Sequence, residues 1–105
     1  MLVQINTDKN IEGGERLANY LTEMISSDLD RYAERITRVE VHLSDVNGAK
    51  KGLNDKKCLL EARLEGRKPI AVTNLANSSA EAVSGALDKL NASLETIIGK
   101  ERNFN

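Results

Sequence analysis

The chain has 105 residues, sixteen acidic against fifteen basic side chains, and an aromatic content of 3%. A chain of that length buries roughly 60–70% of its unfolded surface, which supports one modest core of Leu, Ile, Val and Ala and leaves little room for a deep cleft. Its single cysteine, Cys58, excludes an intrachain disulfide, no Cys/His cluster has metal-ligand spacing, and no apolar run approaches the roughly 20 residues needed to span a bilayer.

The opening "MLVQIN" alternates, with Met1, Val3 and Ile5 on one side and Gln4 and Asn6 on the other, and predicts a first strand. It lacks the basic flank and apolar core of a secretory signal, so the chain reads as cytoplasmic, with no membrane partner. "TDKNIEGG" is turn chemistry. From Gly14 to Ala33 the apolar positions Leu17, Leu21, Met24, Ile25, Leu29 and Tyr32 recur in steps of three and four, the stripe of an amphipathic helix. Its other face holds Glu15, Arg16, Glu23, Asp28 and Asp30 and is acidic on balance.

"RITRVEVHLS" alternates strictly. Thr37, Val39, Val41 and Leu43 are expected inward, and Arg38, Glu40 and His42 outward. "NGAKKGLNDKKC", residues 47–58, has no apolar period and reads as a loop with four lysines. "KCLLEARLEG" then alternates again, with Cys58, Leu60, Ala62 and Leu64 inward and Glu61, Arg63 and Glu65 outward. "PIAVTNL" forms a fourth strand, and Pro69 at its start marks it as an edge. "NSS" offers N-cap oxygens for a last helix from Ser79 to Ile98, with Gly99 as its stop.

The order β-α-β-β-β-α leaves two apolar helical stripes to cover and one apolar sheet face to cover them. The expected fold is α+β: a two-layer sandwich, a four-stranded mixed sheet with both helices on one face. The helical crossover makes strands one and two parallel, and the hairpin-like connections make the rest antiparallel. One domain over residues 1–100 and a frayed tail over 101–105 follow.

Charge is unevenly spread. Residues 1–34 hold three basic against seven acidic side chains, a net of −4; residues 35–75 hold nine against five, a net of +4; residues 76–105 hold three against four, a net of −1. A basic middle third suggests an anionic partner for one surface. Lys50, Lys51, Lys56 and Lys57 are the first candidates for phosphate contact, against the alternative of a plain solvated loop. Arg38, His42 and Arg63 share the outward sheet face, and Arg67 and Lys68 occupy the next turn. Glu40, Glu61 and Glu65 interleave with them, so a charge-laced wet sheet held by cross-strand pairs is the competing reading. His42 and Cys58 fall on opposite faces, which removes them as a nucleophilic pair. No phosphate-cradling glycine motif is present, so no cofactor, small-molecule substrate or enzymatic activity is expected. Tyr20 and Tyr32 sit on the apolar stripe or its border and Phe104 in the tail, so the outward face has no stacking aromatic; RNA, if bound, would be read through backbone charge and shape.

Three stretches, "VQINTDKNIE", "RITRVEVHLS" and "AEAVSGALDKLNASLE", in this order of elements, resemble the ribosome hibernation-promoting and ribosome-associated inhibitor proteins, also called the sigma-factor modulation or ribosomal subunit interface family. The resemblance covers roughly residues 1–100. It implies the same β-α-β-β-β-α sandwich and a non-enzymatic factor that binds the small ribosomal subunit and its RNA, occludes messenger and transfer RNA sites, and idles ribosomes under stress. The candidate contact residues for such a partner are those picked out by charge: Lys50, Lys51, Lys56, Lys57, Arg38, His42, Arg63, Arg67 and Lys68. The chain departs from that family in its acidic first helix and in a last helix whose one basic residue before Gly99 is Lys89. The alternative is a protein-interaction module on the same fold, with the acidic helix or the edge strand as its contact.

Overall fold

The computed structural model describes residues 1–48 and 52–103. The elements are β1 (Leu2–Thr7), α1 (Gly14–Asp28), a 3-10 turn (Asp30–Tyr32), β2 (Ile36–Asp45), β3 (Lys56–Leu64), β4 (Ile70–Ala76) and α2 (Ser79–Asn103). The strands form one sheet in the order β1-β2-β3-β4, so β4 is the edge that Pro69 implied. β1 pairs parallel with β2, since α1 carries the chain back between them, and the β2–β3 and β3–β4 pairs are antiparallel. The observed architecture is the α+β sandwich expected from the pattern.

Both helices cover the same face. Leu21 and Ile25 of α1, Val39 and Val41 of β2, Cys58 and Leu60 of β3, and Val83, Leu87, Leu90 and Leu94 of α2 belong to one buried cluster. Their spacing explains it: period two on the strands and steps of three and four on the helices turn every one of them toward the interlayer. The N-terminus of α2 is capped as "NSS" suggested, with Ser78 Oγ accepting the Glu81 amide at 3.1 Å.

Four details differ from the sequence pattern. Thr37 is exposed, not inward, because a β-bulge interrupts the register between Ile36 and Arg38. The extra residue lets Ile36 point into the core beside Val39, and Thr37 Oγ1 donates to the Arg63 carbonyl at 3.2 Å instead. The first helix ends at Asp28, and the chain delivers Leu29 and Tyr32 to the core through the short 3-10 turn. The last helix does not stop at Gly99 but continues to Asn103. Glu101 explains the extension: its carboxylate accepts from Arg35 Nη2 at 2.7 and 2.9 Å and from Arg67 Nε at 2.8 Å, so the last turn is held by the strand side of the molecule. Tyr20, expected on or beside the apolar stripe, is 55% exposed.

Candidate nucleic-acid interface

The face of the sheet turned away from the helices is the surface to which strand parity sends the charged side chains. Its rows follow from the register. Leu2, Arg38 and Arg63 lie abreast; then Gln4, Glu40, Glu61 and Ala71; then Asn6, His42, Leu59 and Thr73; then Ser44, Lys57 and Leu75. Of the sequence candidates, the fold therefore brings Arg38, His42, Arg63 and Lys57 onto one surface. Lys57 and Arg63 are six residues apart on β3, a span of about 20 Å.

The electrostatics of this face are mixed. Arg38 Nη2 pairs with Glu40 Oε1, and this hydrogen bond holds the Glu40 carboxyl below the usual carboxylate range. His42 Nε2 stands 3.4 Å from Glu61 Oε1. Lys57 and Arg63 have no carboxylate partner within salt-bridge distance among the described residues, so they are the cations most available to a partner. The charge-laced reading describes the Arg38–Glu40 and His42–Glu61 pairs, while Lys57 and Arg63 stand outside it.

The remaining candidates are placed elsewhere. β3 begins at Lys56, so Lys56 and Lys57 are strand residues with opposite directions, not members of one loop. Lys56 shares the parity of Cys58 and turns toward the helix layer. There its Nζ donates to Asp55 Oδ1 at 2.9 Å and Asp45 Oδ2 at 3.1 Å, and both carboxylates are almost fully covered. The two bonds raise the Lys56 ammonium above its ordinary range, Asp55 contributing most, while the bond from Lys56 lowers Asp55. This ion pair ties the two ends of the lysine-rich connection together. Arg67 is turned to Glu101 and α2, and Lys68 is exposed in the turn before β4. Lys50 and Lys51 lie outside the described residues.

Sequence reasoning could not have found the Arg35–Glu101–Arg67 cluster. Its members lie 66 and 34 residues apart, and no local pattern joins them.

Among the described residues no cysteine nucleophile accompanies the face. Cys58 is fully buried on its far side, and desolvation pushes its thiol up to about 12. Stacking recognition has no platform either: Tyr32 is buried, Tyr20 is on α1, and the open rows hold no aromatic among the described residues. No described helix is long and apolar enough to cross a membrane.

Residues 4–102 match the family described as sigma 54 modulation protein / S30EA ribosomal protein. The chain belongs to that family. The S30EA fold is also found in solved structures. The Protein Y N-terminal domain of Thermus thermophilus superposes with a TM-score of 0.70 at 20% identity, covering 92% of this chain and 99% of that one. A ribosomal subunit interface protein from Coxiella burnetii gives a TM-score of 0.69 at 17% identity, covering 94% of this chain and 99% of the other. No curated protein sequence matches this S30EA-family chain.

Proposed function

We propose that this protein is a ribosome-associated, hibernation-type factor that acts without catalysis in the cytoplasm. It binds the small ribosomal subunit by phosphate contacts and occupies the space of messenger and transfer RNA. The observation that carries the reading is family membership across residues 4–102. The open sheet face supports it, since Lys57 and Arg63 present positive charge there with no carboxylate partner among the described residues. Arg38, His42 and Lys68 extend this surface. Arg67 and Lys56 bind less directly, because Glu101, Asp45 and Asp55 already hold them.

A second reading has one observation in its favour. Tyr20 is exposed on α1 beside acidic Glu23, three residues on and so on the same side of the helix. An exposed tyrosine flanked by charge, Arg16 one turn before and Glu23 one turn after, suits a protein partner.

Co-sedimentation with ribosomes and with isolated small subunits across a salt series separates the two. The ribosome reading expects association at low salt that weakens steeply as salt rises. Absence of association with small subunits at low salt would sink it. Association that survives Lys57→Ala with Arg63→Ala, but is lost on Tyr20→Ala, would transfer the contact to α1.

A further inference from the structure

Three side chains of the open face form a group of their own, which shares only His42 with the phosphate-contact candidates. Glu40 and His42 lie two residues apart on β2, and Glu61 stands directly across from Glu40 on β3. One ligand atom from each, a carboxylate oxygen from either glutamate and a ring nitrogen from His42, can be taken within 4.8 Å of one another. All three side chains are half-buried.

We propose that Glu40, His42 and Glu61 form a binding site for a divalent first-row transition-metal ion, with zinc as its natural probe. The donor set argues for the class. One imidazole with two carboxylates suits zinc and its neighbours, whereas magnesium and calcium take oxygen ligands alone. The spacing argues for a shared ion. His42 Nε2 and Glu61 Oε1 are 3.4 Å apart, beyond the usual 2.7–3.2 Å of an N–H···O bond. Two ligands on a tetrahedral ion with bonds of about 2.0–2.1 Å are separated by roughly 3.4 Å. The pair is thus placed as co-ligands more than as donor and acceptor.

The register sets Glu40 directly across from Glu61. Arg38 engages Oε1 of Glu40 and leaves its second oxygen for the ion. The scaffold is also rigid: β2 and β3 are the two central strands, and Val39, Val41, Leu60 and Ala62 anchor them from below as buried residues. Three protein ligands on a solvent-facing surface leave a fourth position for water, the arrangement of an open zinc site.

The test is titration of the untagged, full-length chain with zinc by calorimetry, repeated with cobalt for its visible spectrum. One zinc per chain is expected at submillimolar concentration. His42→Gln and Glu61→Gln should each weaken binding at least about tenfold, with unchanged circular dichroism, whereas Glu65→Gln, an exposed carboxylate outside the group, should bind as the parent does. The cobalt complex should show ligand-field bands without a thiolate charge-transfer band. Absence of saturable zinc binding overturns the proposal. So does parental affinity in both ligand variants, or a thiolate band, which would assign the ion to Cys58.

Discussion

Gly85 of α2 and Asn74 of β4 share one space. A Cβ on Gly85 would stand 2.1 Å from Asn74 Nδ2 and 2.7 Å from its Cγ. Asn74 occupies a core-facing strand position, and its amide is satisfied by the Ala82 carbonyl at 3.2 Å in the first turns of α2. The glycine lets the helix come close enough for that bond.

Gly85→Ala should therefore lose stability although alanine is the better helix former by about 0.8–1 kcal/mol. Displacing a partly buried amide from its acceptor should cost more, giving a net loss of roughly 1–2 kcal/mol. In an Asn74→Ala background the obstacle is gone, and Gly85→Ala should be neutral or stabilising. Urea unfolding of the four chains measures the coupling; additive effects would show that the two residues do not compete.

Lys56 sets a pH dependence with a definite sign. In the native protein Asp55, Glu40 and Glu101 are all held below their ordinary carboxyl range. The stability they contribute is present above the unfolded-state value, about pH 4, and is lost as pH falls through their lower folded values. Lys56→Met removes the cation that keeps Asp55 ionised under cover. Burial then raises Asp55, and in that variant its contribution reverses: stability declines as pH rises from acid toward neutral. Unfolding midpoints from about pH 3 to 7 would rise with pH in the parent and rise less, or fall, in Lys56→Met. Parallel profiles would show that the Asp45–Lys56–Asp55 triad is indifferent to folding.

The alternation in β2 and β3 made the two faces of the sheet legible before any coordinates. It put Cys58 inward and His42 outward, which is where they are. The bulge at Thr37 was not legible, because a single inserted residue reverses parity without changing the composition of the strand. Lys56 was misread as a loop residue for a related reason. A lysine in a polar run looks solvated, and its partners become visible only when the strand start turns it toward Asp45 and Asp55. Gly99 read as a stop because glycine so often ends helices. Here its backbone carries on as ordinary helix, and the reason lies in Arg35 and Arg67, far away in the chain.

Phosphate contacts should appear in the slope of binding against salt. Replacing Lys50, Lys51 and Lys57 with Ala, leaving Lys56 intact, should reduce the slope by about 0.7–0.9 for each lysine that meets a phosphate. Ribosome association at low salt should weaken, while the unfolding midpoint stays within about 0.5 kcal/mol of the parent. An unchanged slope would remove these lysines from the interface.

The last turn of α2 should depend on Glu101. Glu101→Gln weakens both arginine contacts at once, and the amides of residues 97–101 should exchange faster with solvent, with no matching change in the sheet. Acidification should produce the same fraying in the parent as Glu101 protonates, at a pH below the ordinary glutamate range. Hydrogen-exchange mass spectrometry at two pH values checks both; protection that does not respond to either change would mean that the helix end is held by something else.

The parallel pairing of β1 with β2 carries a consequence for the order of assembly. β2, β3, β4 and α2 follow one another through connections at 46–55, 65–69 and 77–78, so each new element meets a neighbour just made. β1 is different. It reaches its place only after α1 has been laid across the sheet, and it contributes no fully buried side chain once there. Closing that longer loop costs entropy before any contact compensates for it. The first strand in the chain is therefore expected to be the last to dock and the first to leave. Amides of Leu2–Thr7 that face β2 should exchange through a low-energy opening, and those of β3, flanked on both sides, only through global unfolding. Translation would then deliver first the segment that folding uses last.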